Sequence, residues 1–86
     1  MRKLVCAIYD RKIDSMGHNN LMLFDNDDIA KRAIHAVVLD ENTEYSRYAE
    51  DFSLWHVGDY ETDNGVLSGV ERRKICEFDA YKVEGK

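Results

Sequence analysis

Residues 3–9 (KLVCAIY) are apolar on both of the faces that an extended segment presents. Successive side chains of a strand point to opposite sides, so Leu4, Cys6 and Ile8 line one face and Val5, Ala7 and Tyr9 the other. A strand that is apolar on both sides belongs near the middle of a sheet, or in a sheet whose second face meets a partner. The chain has 86 residues, too few for two separate cores, so one domain built around this strand is expected.

The other elements follow from local signals. Residues 10–20 are polar and contain Gly17 and the Asn19–Asn20 pair, which reads as a wide turn. Residues 21–24 (LMLF) form a second short strand, antiparallel to the first. Asp25 to Asp28 then precede a run with helical periodicity. Asp25 or Asn26 can cap the free N–H groups, and further acids suit the positive end of the helix dipole. Ala30, Ala33, Ile34, Val37 and Val38 form the buried stripe, with Lys31, Arg32 and His35 opposite. Residues 42–51 read as a polar loop pinned by Tyr45 and Tyr48. Residues 53–60 are a third strand, and residues 62–65 a hairpin turn whose Asn64–Gly65 supplies positive φ. Val66 to Ser68 begin the return, the charges of Val70 to Lys74 interrupt it, and residues 75–83 form a fifth strand or strand-like tail with Cys76, Phe78 and Ala80 on one face. The expected class is α+β: one antiparallel sheet of four to five strands, in β-β-α-β-β order, with one packed helix.

Charge narrows the partners. The net charge is −5, which argues against a general nucleic-acid binder. The distribution is uneven: residues 1–24 sum to +2, residues 25–69 to −8 and residues 70–86 to +1. The apolar stretch after Arg2 and Lys3 ends at Tyr9 and is too short for a signal peptide, and no run is long enough to span a membrane. Cys6 and Cys76 do not make a disulfide framework and read as reduced, buried residues.

Catalytic and metal signals are weak. Around Asp59, Glu61 and Asp63 the glycine and the closing glutamate fall out of calcium-loop register. Asp25, Asp27 and Asp28 are explained by helix capping. Cys6 and His56 make a nucleophile–base pair only if the first and third strands are neighbours. No metal, cofactor or enzymatic activity is expected. Single-strand binding instead needs cations and exposed aromatic faces. The chain offers Arg2, Lys3, Arg11, Lys12, Lys31, Arg32, and the dense cluster Arg72, Arg73 and Lys74. Stacking candidates are Tyr9, Trp55, Tyr60, Phe78 and Tyr81.

Three segments, in this order and spacing, carry a family likeness. They are residues 8–12 (IYDRK), residues 30–34 (AKRAI), and residues 48–60 (YAEDFSLWHVGDY) followed by Asp63–Asn64–Gly65. Over residues 3 to 67 the chain resembles the small nonstructural proteins of gokushovirus-type microviruses, which are single-stranded DNA phages. Members commonly carry proline where this chain has Ala49, and are often basic where it is acidic. The resemblance implies a DNA-binding accessory protein of the host cytoplasm, acting in the switch from duplex replication to single-strand synthesis and packaging.

Residues and resemblance together give the expectation of a non-enzymatic protein that binds single-stranded DNA, as a homodimer. Arg11, Lys12, Lys31, Arg32, Arg72, Arg73 and Lys74 are its candidate backbone contacts, and Trp55 and Tyr60 its candidate stacking residues. A second expectation is a protein-interaction module whose acidic middle meets a viral replication or capsid protein without touching DNA.

Overall fold

A computed structural model describes residues 1–17 and 20–82. Asn19 of the polar turn and Val83 of the strand-like tail lie outside the described residues. The two-sided apolar segment forms β1 (Arg2–Asp10). β2 is Met22–Phe24, β3 is Phe52–Glu61 and β4 is Val66–Glu77. The sheet order is β2-β1-β3-β4 with every neighbour antiparallel, so β1 is internal, as its two apolar faces require. The class is α+β.

β2 and β3 both run against β1 and flank it, so the chain must cross β1 between them. α1 (Asp27–Leu39) makes that crossing on one face of the sheet. It begins where the sequence signals it: the Asn26 side chain accepts from the Ile29 N–H at 2.9 Å, and Asp27 and Asp28 occupy the first turn. Ala30, Ile34 and Val38 are buried at four-residue spacing against Cys6, Ile8 and Leu54 of the sheet. Ala33 and Val37 are only half-buried, so the stripe is narrower than the periodicity predicts.

The segment after α1 departs from a plain loop. It holds a short helix, α2 (Glu44–Arg47), capped by Thr43, and one 3₁₀ turn, Ala49–Asp51. Tyr45 packs into a cluster with Phe52 and Phe78, at ring separations of 5.0 and 5.5 Å, and Phe52 and Phe78 lie 5.8 Å apart. Tyr48 is exposed and pins nothing of the kind.

The larger correction concerns the C-terminal third. The charged residues 71–74 do not interrupt the returning strand; β4 runs through them as one twelve-residue edge strand. An edge strand has one side free, so charge there costs little. The expected fifth strand is absent among the described residues. Phe78–Tyr81 instead turns as a 3₁₀ segment that drops the fully buried Phe78 into the core, leaving Ala80 exposed.

Two glycines set the β3–β4 ribbon. In the connecting turn only Gly65 takes positive φ, at 74°; Asn64 does not. At Gly58 a Cβ would sit 2.8 Å from the Ser68 carbonyl oxygen, so the approach of β4 at that point requires glycine. Irregularities follow on both sides of it. Val57 has no partner in the β1 register, and β4 places Val70, Glu71 and Arg72 between its pairings to His56 and Gly58.

Candidate nucleic-acid interface

Directly paired residues share a face of the sheet. Cys6 pairs with His56, and His56 with Arg73, so these three lie on the helix-bearing face. Arg73 closes a bidentate pair with Asp27 of α1, at 2.8 and 2.9 Å. On the other face Ala7 pairs with Trp55, Trp55 with Lys74, Lys3 with Tyr60 and Tyr9 with Ser53. The Arg72 guanidinium stands over the Trp55 ring, 5.5 Å from its centroid. The alternation of β4 thus divides the basic triplet. Arg72 and Lys74 join Trp55 on the face without a helix, and Arg73 leaves for the opposite side.

Tyr9 is the diagonal neighbour of Trp55 across β1 and β3. Trp55 is held in place by its indole N–H, which donates to the buried Ser53 hydroxyl at 2.9 Å. Tyr9 donates its phenol to the Asp14 carboxylate at 2.6 Å. Tyr9, Asp14, Met16, Trp55 and Arg72 together line a pocket of about 260 Å³. Tyr60 lies on the same face, five residues further along β3, roughly 16 Å away at strand spacing.

The other sequence candidates are dispersed. Lys31 and Arg32 are exposed on α1, which covers the opposite side of the sheet. Lys12 follows the end of β1, while Arg11 beside it borders the strip, sharing Glu77 with Lys74. Phe78 is in the core, and Tyr81 stacks on His35 at 5.1 Å, so neither is a platform for a base. Asp14 and Met16 also belong to this site. No local pattern marks them, because only the path of the turn after β1 brings them beside Trp55.

The acidic middle, the main objection to DNA binding, is also redistributed. Asp27, Asp28, Asp40, Glu41, Glu44 and Glu50 belong to α1, α2 and their flanks, which cover the helix-bearing face. Several carboxylates already face cations: Asp25 meets Lys3, and Asp27 meets Arg73. Asp14 and Glu77 stand beside the aromatic–cationic strip, and Glu77 is paired with Arg11 and Lys74.

The Arg73 guanidinium holds the Asp27 carboxyl below its usual range. A depressed folded-state pKa stabilises the fold above the unfolded value of about 3.9, and that stabilisation is lost as pH falls through the folded value. Both groups are well exposed, so the pair contributes modestly. Arg73→Met is therefore expected to lower the urea midpoint at pH 7 slightly, and the difference from the parent protein should shrink as acid protonates Asp27. A difference that persists undiminished in acid would show that Arg73 acts through packing instead.

Cys6 and His56 do face each other across neighbouring strands, so the geometric condition for a nucleophile–base pair is met. The chemistry is not. Cys6 is fully buried, and that burial pushes its thiol up to about 11, which keeps it protonated and unreactive at neutral pH. The imidazole Nε2 is engaged by Asp59 at 2.9 Å, and its buried Nδ1 has no hydrogen-bond partner among the described residues. In a Cys76→Ser background, Cys6 is expected to resist a water-soluble thiol reagent at pH 8 until denaturant is added. Rapid labelling of the folded protein would contradict that burial.

The described residues contain no group of three or more potential metal ligands, and no helix among them is long and apolar enough to cross a membrane. Fold and face together define a class: a small α+β domain with a four-stranded antiparallel sheet, one face packed under helices, the other carrying aromatic and cationic side chains. The family described as Phage ORF5 protein matches residues 3–82, and the chain belongs to that phage protein family. No curated protein and no solved structure matches it.

Proposed function

We propose that this protein binds single-stranded DNA across the open face of its sheet and performs no chemistry on it. The observation that carries this reading is the convergence of Tyr9, Trp55, Arg72 and Lys74 on the face that α1 leaves uncovered. Bases stack on aromatic rings regardless of sequence, and cations beside the rings meet the phosphates. Arg72 makes no salt bridge among the described residues. Lys3 and Lys74 are held by partly exposed carboxylates, and such pairs are weak enough to exchange for phosphate. The acids gathered on the helical layer would face away from the strand.

Family membership and the resemblance to gokushovirus-type proteins support a place in the host cytoplasm, in the switch from genome replication to packaging. β4 is an outer strand with Val66 and Leu67 exposed, and pairing of two copies along it would join two open faces in a homodimer. Weak sites then add through multivalency. Light scattering at tens of micromolar tests this: a mass near twice 10.0 kDa is expected, and a monomer mass rejects it.

The primary test is fluorescence anisotropy of labelled single- and double-stranded oligonucleotides at low and physiological salt. Saturable single-strand binding is expected, and three phosphate contacts would give a log–log salt slope of about −2. No binding at tens of micromolar in low salt would overturn the reading. The acidic helical layer favours a second contact, with a basic viral replication or capsid protein. Charge reversal at Glu41 and Glu44 would weaken that contact and spare DNA.

A further inference from the structure

The pocket beside Trp55 contains a group that phosphate binding does not explain. Asp14 puts a carboxylate among Tyr9, Met16, Trp55 and Arg72. A carboxylate repels phosphate, so its place in a backbone-binding strip is unfavourable unless it meets something else. It is also held with care. Asp10 and Ser15 exchange two backbone hydrogen bonds, at 2.8 and 3.1 Å, closing the turn between them. Inside that turn Asp14 has φ 52°, and it is the one non-glycine residue with positive φ among those described. Aspartate and asparagine tolerate this conformation best, and such backbone clusters at ligand sites.

The pocket measures about 260 Å³, below the roughly 300–1,000 Å³ of sites that enclose a drug-sized molecule. That suits one ring system. A base entering it would meet an aromatic ring and a guanidinium plane for stacking, the usual support for an unpaired base. Its edge would meet an acceptor-only group with two oxygens. Adenine and cytosine present a donor beside a ring-nitrogen acceptor, and thymine a donor between two carbonyls. Guanine alone presents two adjacent donors, N1–H and N2–H, which match a carboxylate in bidentate fashion. One Asp14 oxygen already accepts from Tyr9 at 2.6 Å and keeps a further lone pair, and the other oxygen is left for the base.

We infer that the Tyr9–Asp14–Met16–Trp55–Arg72 pocket is a guanine-selective base site, with Asp14 reading the Watson–Crick edge of an unstacked guanine. This rests on the single-strand reading above, and it adds base selectivity to a face otherwise tolerant of sequence.

The test compares a thymine oligonucleotide with versions carrying one central guanine, adenine or cytosine, by anisotropy, in the parent protein and in Asp14→Asn. Trp55, the chain's one tryptophan, reports on the free deoxynucleoside monophosphates by fluorescence quenching. Asparagine suits the same backbone and still accepts from Tyr9, but its amide presents an N–H where guanine needs an acceptor. The guanine-containing strand is expected to bind roughly tenfold more tightly than the others in the parent protein. Asp14→Asn should abolish that advantage while leaving the thymine strand bound. Equal affinity for all four strands would overturn guanine selectivity and leave single-strand binding standing. Quenching by the free guanine nucleotide with no strand binding would uphold the base site and overturn the single-strand reading. A guanine preference that survives in Asp14→Asn would overturn the role of Asp14.

Discussion

Trp55→Ala is expected to weaken single-strand binding by about 1–3 kcal/mol, roughly five- to 150-fold, the range measured when a stacked aromatic is removed. Trp55 is the centre of the open face. It lies opposite Ala7 on one side and Lys74 on the other, beneath the Arg72 guanidinium. The substitution removes a stacking surface and also releases Arg72 from its place above the ring. It leaves the buried Ser53 hydroxyl without the indole donor, so some loss of stability will accompany it. Trp55→Phe separates the two effects. It keeps an aromatic face while losing the same hydrogen bond, so it should retain most of the affinity. Anisotropy on both variants, with circular dichroism to show that they are folded, is the measurement. A folded Trp55→Ala variant that binds as the parent does would remove the open face from consideration. Lys31→Ala with Arg32→Ala is the matched control, because those cations stand on the helix behind the sheet and should matter little.

Phe78→Ala should lower the unfolding free energy by about 3–5 kcal/mol, as removal of a buried phenylalanine does elsewhere. Phe78 is fully buried and packs with Tyr45 and Phe52 beneath the 3₁₀ segment that follows β4. A protein of this size has about 5–10 kcal/mol in total. The variant is therefore expected to be partly unfolded at 37 °C. Urea denaturation at 15 °C would measure the change directly, and Phe78→Leu should show a markedly smaller one. A loss under about 1 kcal/mol for the alanine variant would mean that the C-terminal segment is not part of the cooperative core.

Both predictions depend on where the chain places residues that its sequence lists without ranking. Tyr9, Trp55, Tyr60, Phe78 and Tyr81 are equivalent as aromatic candidates along the chain. In the fold Tyr9, Trp55 and Tyr60 lie on the uncovered face, Phe78 is core, and Tyr81 is stacked on His35. Arg72, Arg73 and Lys74 read as one basic cluster, yet adjacent strand residues must point to opposite sides. That separation was available once the segment was known to be a strand. Its run of charge reads as an interruption instead, and only pairing with β3 makes it part of a ladder.

What the sequence determined by itself was local: the central strand, from apolar residues on both faces of 3–9; the helix start, from Asn26 and the acids after it; the turn at Gly65; and the α+β class. Each depends on periodicity or backbone preference within a few residues, which any such segment carries wherever it is placed. The tertiary structure decided which strands are neighbours and in what register. Those pairings join residues as far as 59 positions apart, such as Arg2 and Glu61. Their choice rests on how whole faces pack and on irregularities such as the close approach at Gly58, which have no local sequence period. The site belongs to this second kind. Asp14, Trp55 and Arg72 have no spacing in the chain that links them, and they meet because a closed turn, a central ladder and a bulged edge strand converge on one face.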